Sequence, residues 1–250
     1  MTSELIIVWP AMLAGLVVAA THVPLGIQVL SRGIVFIDLA VAQIAGLGVV
    51  LAQSLGLEPQ GYGVQAAALG AAIVGALLLE RTERLWPDVQ EAVIGVVFIL
   101  AANAAILLLA SNPHGAEHLK DLLTGQVLWV NPAWLPAAAL VSAALWILWT
   151  TLHQRMGRTG FYLVFAIAVT ISVQLVGVYL VFATLIIPAL AARRLRRRLL
   201  WSYALAAGAY GAGLALSLAS DLPAGPLIVC AMAAAGCALF AAAPRRVAQL

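Results

Sequence analysis

Apolar runs of about twenty residues, one after another, constrain this chain more than any motif it carries. At ~1.5 Å of rise per residue, a helix of about twenty residues crosses the ~30 Å hydrocarbon core of a bilayer. Lipid offers the backbone no hydrogen bonds, so runs of this length predict helices that satisfy themselves rather than strands of a barrel. Composition agrees: 64% of the 250 residues are hydrophobic, 9% are charged and the mean hydropathy is +1.06. A soluble domain carries about 25% charged residues. The expectation is an all-α, polytopic membrane bundle, one transmembrane domain over residues 1–250, with no soluble domain of useful size in the loops.

Spans are expected at about 5–21, from the Asp38 region to about 55, and at 64–79, 91–110, 133–152, 199–219 and 224–243. Residues 160–192 are too many for one upright span and few for two, and Gly177 and Pro188 predict a broken pair or a re-entrant element there. The total is eight or nine membrane segments. Residues 1–4 lack a basic n-region, so the first run does not read as a signal peptide. Arg32, Arg81, Arg84, Arg155, Arg158, the cluster Arg193, Arg194, Arg196, Arg197 and Arg198, and Arg245 with Arg246 all fall on one side if 160–192 crosses twice or dips and returns. By the positive-inside rule that side is cytoplasmic, with the C-terminus inside and the N-terminus outside.

Polar groups within apolar runs are the functional candidates. Asp38 costs about 2.5–3.5 kcal/mol at membrane depth by insertion scales, so it faces a bundle interior or a water-filled cavity, or pairs with a basic group. Arg32, six residues earlier on a regular helix, would lie about 120° off its face. Gly46 and Gly48 allow another helix close by. His114 and His118, four apart with Glu117 and Asp121 nearby, form the best metal-like cluster, or else a solvated loop. His22 and His153 read as structural, and Asn103 and Gln174 as hydrogen-bonding glue between helices. Gly208, Gly211 and Gly213 make a smooth packing face, within the chain or between copies. Cys230 and Cys237, seven apart in an apolar helix, read as small hydrophobes. The arginine cluster reads as a topology anchor beside anionic lipid rather than a nucleic-acid site. Walker A, HExxH and GxSxG patterns do not occur, so no hydrolytic machinery is visible.

Five stretches in order, over about residues 31–230, resemble the integral-membrane permease of the cation-uptake ABC transporters for zinc, manganese and iron. They are Asp38 in its small-residue helix, Glu91-Ala-Val-Ile-Gly95-Val-Val-Phe98, and Leu122-Leu-Thr124-Gly125-Gln-Val-Leu128. The fourth is the segment from Gln174 through Gly177 to Pro188 and Ala192. The fifth is Ser217-Leu-Ala-Ser-Asp221-Leu-Pro223-Ala-Gly225. The resemblance implies a type II-importer-like fold in a bacterial inner membrane, working as a homodimer that passes a divalent metal ion, with zinc favoured. It also implies a cytoplasmic ABC ATPase that binds the ATP and an extracytoplasmic substrate-binding protein, with no covalently bound cofactor and no nucleic acid.

Two departures bear on that reading. The family's His, four residues after its Asp, is Ala42 here, and Gln43 lies about 140° round a regular helix from Asp38. Gln is a weaker zinc ligand than imidazole. A harder ion, or a metal chelate or siderophore-derived ligand imported by a permease of the same class, is therefore an alternative cargo, and an ion-coupled secondary transporter or channel is an alternative mechanism. The coupling segment between the fifth and sixth spans is short. His153, Gln154, Arg155, Met156 and Gly157 are the expected ATPase contacts, with residues 80–91 sharing the task.

Overall fold

The computed structural model describes residues 2–58, 61–110, 123, 125 and 127–243, with the side chains of 2–7, 153 and 154 outside that description. Among the described residues the α-helices are α1 (Thr2–Arg32), α2 (Ile37–Ser54), α3 (Tyr62–Leu85), α4 (Gln90–Leu109), α5 (Leu135–Val176), α6 (Val178–Ala191), α7 (Arg198–Ser220) and α8 (Ala224–Ala242). Among the described residues there is no strand. Among the described residues eight segments are long and apolar enough to cross a membrane, two of them, Pro132–Leu152 and Arg155–Val176, drawn from the length of α5, which departs from helical geometry at Gly157. The 14-residue α6 is a ninth, shorter element. The expected eight or nine segments of an all-α membrane bundle are present.

The helices form two compact units. The first holds α1, the start of α5, α6, α7 and α8; α1 packs on α6 and α7, and α8 packs on both of these. Backbones come close where a side chain is missing: a Cβ on Gly26 would fall on the Leu185 carbonyl oxygen of α6. Gly213 packs against Ile228 of α8, so part of the glycine face of α7 is used within the chain, whereas Gly208 and Gly211 face open space. Cys230 and Cys237 are exposed on α8 rather than packed inside.

The first span is longer than expected. Instead of ending near residue 21, α1 runs through Pro10 and Pro24 to Arg32. A proline removes the amide that would donate to the carbonyl four residues back, which for Pro24 is Ala20. The Tyr203 hydroxyl of α7 donates to that carbonyl at 2.9 Å. The helix therefore continues because a neighbour replaces the missing donor, as membrane interiors require.

The second unit holds α2, α3, α4 and the rest of α5, with α2 packed on both α3 and α4. Gly48 lets the Ala67 carbonyl and Ala71 of α3 approach, each 2.8 Å from where a Cβ would stand. Val50, Ala105 and Leu109 form a buried cluster between α2 and α4, with Leu47 against it. Asn103 does not tie helices together: it is exposed and donates to the Ile99 carbonyl of its own helix. Gln174 is exposed as well.

Candidate cation and coupling site

The helix that carries Asp38 does not include Arg32. Arg32 ends α1, Gly33 takes φ +72°, a conformation glycine adopts without steric cost, and helical geometry resumes at Ile37. Asp38 is thus the second residue of α2, in its first turn, rather than midway along a span. It is fully buried, and neither carboxylate oxygen has a hydrogen-bond donor among the described residues. The free amides of a helix start favour negative charge nearby by about 0.3–1 kcal/mol, up to ~2 when partly buried. That offsets only part of the several kcal/mol needed to bury an ion, so Asp38 calls for a countercharge or a proton.

A second carboxylate lies at the same helix start. Glu91, in the first turn of α4, accepts the Phe36 amide at 3.2 Å. Phe36, the N-cap of α2, has no side chain able to cap, so an acid from another helix satisfies the orphan donors. Glu91 stood out in sequence only as part of a motif; its capping role depends on the packing of α4 on α2.

Gln43 is nearly buried, at 7% exposure, one and a half turns along α2. The helix breaks before Asp38 and not between the two residues, so they keep their separation of about 140° and do not share a face. His114 and His118, with Glu117 and Asp121, lie outside the described residues. Among the described residues no three His, Cys, Asp or Glu side chains gather as a metal site. His22 is buried, its Nδ1 within 3.1 Å of both the Val18 carbonyl and the Thr21 hydroxyl, consistent with a structural role.

The two segments expected to meet an ATPase are joined to each other. The segment around 153–159 is not a loop: α5 is helical on both sides of Gly157, which alone departs, at φ +62° and ψ −161°. Just beyond it, Thr159 donates to Glu80 Oε1 at 3.1 Å and accepts from Arg84 Nη2 at 3.0 Å. Glu80 and Arg84 are themselves ion-paired one turn apart, and Arg158 Nε lies 3.6 Å from Glu83. Thr82 donates to Gln90 Oε1 at 3.0 Å, and Gln90 Nε2 donates to the Leu79 carbonyl at 2.9 Å. The end of α3, the start of α4 and the residues after the α5 break thus form one polar knot. Arg155 and Gly157 are exposed and Met156 is half-buried; the side chains of His153 and Gln154 are outside the description. Leu85, Trp86 and Val89, in the turn between α3 and α4, are more than half exposed. Because Glu91 also caps α2, Asp38 sits at the same end of this unit as the knot.

In the other unit, Gly177 separates α5 from α6 at φ +84° and ψ +162°, a region closed to other residues without strain. Gly125 lies against this break: a Cβ there would strike the Val176 carbonyl and come within 2.6 Å of the Gly177 amide nitrogen. Two of the sequence stretches singled out above therefore meet backbone to backbone. Pro188 does not break the chain; it lies inside α6, and Ser202 of α7 donates to its carbonyl at 3.0 Å.

Comparison with known proteins follows from this architecture. The model of the ABC 3 transport family matches residues 4–159 and 149–243. A search of curated protein sequences gave no match. Among solved structures, PsaBC from Streptococcus pneumoniae in complex with Fab is similar at 22% identity and a TM-score of 0.76, covering 98% of this chain and 97% of that one. An inward-facing metal-chelate type ABC transporter is similar at 18% identity and a TM-score of 0.66, covering 93% and 85%. At those identities the structural likeness speaks for the fold, while the family match extends over nearly the whole sequence. The chain belongs to the ABC 3 transport family and is a multi-pass membrane permease of the metal-type ABC transporters.

Proposed function

We propose that this permease imports a divalent metal ion, zinc in the first place and manganese or iron as further candidates, through a pathway at the interface of a homodimer in a bacterial inner membrane. A binding protein docks on the outer side and releases the ion. ATP hydrolysis belongs to a separate cytoplasmic ATPase, and this chain performs no chemistry on its cargo. The observation that carries the reading is Asp38: a fully buried carboxylate without a donor among the described residues, in a metal-transporter family. A passing cation supplies the countercharge that Asp38 calls for, and the carboxylate lowers the barrier to that cation in return. His114 and His118 are the candidate outer ligands and Gln43 a secondary one.

Coupling follows from the polar knot. The proposed ATPase contacts are Arg155, Met156 and Gly157, with His153 and Gln154 before them and the exposed turn Leu85, Trp86 and Val89 beside them. Movement imposed on that surface passes through Thr159 and Glu80 to α3, and through Gln90 and Glu91 to the start of α2. The Gly177 break is further proposed as irregular backbone that serves transport, with Pro188, inside the continuous α6, as a second pathway residue.

A metal chelate is the second reading, favoured by Ala42 in place of the family's imidazole. Family membership leaves no ground for the ion-coupled secondary transporter. The test is to purify the tagged chain with its native partners and to measure zinc and manganese uptake into proteoliposomes with and without ATP. Recovery of an ATPase and ATP-dependent uptake of either ion is expected. An ATPase recovered without ion uptake supports the chelate, and uptake that ignores ATP overturns both.

A further inference from the structure

The turn between α6 and α7 carries five arginines within six residues, Arg193, Arg194, Arg196, Arg197 and Arg198, four of them exposed. Arg193 and Arg194 lie over the same ring, Phe240 of α8, with their guanidinium carbons 5.3 Å and 4.4 Å from its centroid. Both cations are thus held at one ring, although like charges repel and a ring offers no net charge. Among the described residues none of the five arginines is in an ion pair. The start of α7 adds to this: its N-cap is Arg197, whose side chain accepts nothing, so the first amides of a 23-residue helix have no side-chain cap. Immediately along the chain, Leu199, Leu200 and Trp201 are exposed, Trp201 by 48%, at the end of a span. Exposed leucine with tryptophan at a span end marks the boundary between hydrocarbon and headgroups.

The geometry points to a binding site for the phosphate of an anionic phospholipid at this turn, with Arg193 and Arg194 preorganised on Phe240 as its fork and Leu199, Leu200 and Trp201 against its acyl chains. Guanidinium pairs bind phosphate oxygens bidentately, and uncapped helix amides favour the same charge. This goes beyond a diffuse topology anchor, because it predicts preference for a headgroup at one place in the fold. The flanking Leu199, Leu200 and Trp201 are what select a lipid over a soluble anion.

Trp201 is a built-in reporter. The full-length chain is reconstituted in phosphatidylcholine bilayers containing a minor, equal fraction of brominated phosphatidylglycerol or brominated phosphatidylcholine. The Trp201 signal is taken as the difference from Trp201→Phe. Quenching by the brominated anionic lipid is expected to exceed that by the zwitterionic one at least about twofold. The preference should vanish in the double variant R193Q/R194Q. It should also weaken in Phe240→Leu, which keeps every charge and removes only the stacking, so the idea stays testable if the double variant does not fold. Equal quenching by the two lipids, a preference unchanged in both variants, or loss of the preference on adding inorganic phosphate at constant ionic strength would each overturn the proposal.

Discussion

Pro24 takes one amide donor out of α1, and Tyr203 gives the Ala20 carbonyl another at 2.9 Å. Tyr203→Phe removes that donor alone. The bond is part-buried, so the expected cost is about 0.5–1.5 kcal/mol, the net worth of one hydrogen bond, seen as a lower thermal midpoint in detergent while Ala20→Gly leaves the bond intact. Glycine conformation gives a second residue-scale contrast. Gly125 and Gly157 share φ +62°, yet a Cβ on Gly125 strikes the Val176 carbonyl while one on Gly157 meets nothing within 4 Å. Gly157→Ala should therefore cost only the backbone strain, about 1–2 kcal/mol. Gly125→Ala should cost clearly more, and equal losses would contradict the packing of Gly125 on the Gly177 break. Asp38 and Gly177 stand out in the sequence because a charge and a positive-φ residue are local signals. Glu91 as a cap and Tyr203 as a donor do not, because each is defined by a helix remote in sequence.

Among the elements, the breaks at Gly33, Gly157 and Gly177 set where the candidate sites lie. Apolar runs locate the spans well, since length and hydropathy are local properties. They leave the ends open: Arg32 and Asp38 could share a regular helix by sequence, whereas Gly33 divides them and places Asp38 in a first turn. The segment 160–192 reads as a broken pair or a re-entrant element, and the break does fall at Gly177, but Arg155–Val176 before it is a full 22-residue span and only the helix after it is short, at 14 residues. One glycine decides the division, and hydropathy does not see it. The polar knot was half visible, as two candidate coupling segments, but their union through Thr159 is tertiary. Thr159→Val keeps the shape and removes the bridging hydroxyl. Under the coupling proposal it should lower ATP-driven uptake roughly threefold or more with the partner ATPase still bound. Unchanged uptake would separate the knot from coupling.

Family membership and the eight candidate spans among the described residues make a multi-pass permease, and its proposed sidedness rests on the arginines. Tags placed at both termini should behave oppositely toward protease added outside sealed cells, the N-terminal tag cut and the C-terminal tag protected; a protected N-terminus would reverse the assignment. The account turns on Asp38 as the carboxylate the cargo passes. The most direct test is ATP-dependent zinc and manganese uptake in proteoliposomes holding the assembled transporter with Asp38→Ala. Loss of uptake of the transported ion, with the ATPase retained at full stoichiometry, is the result the account predicts. Normal uptake by the assembled variant would contradict it.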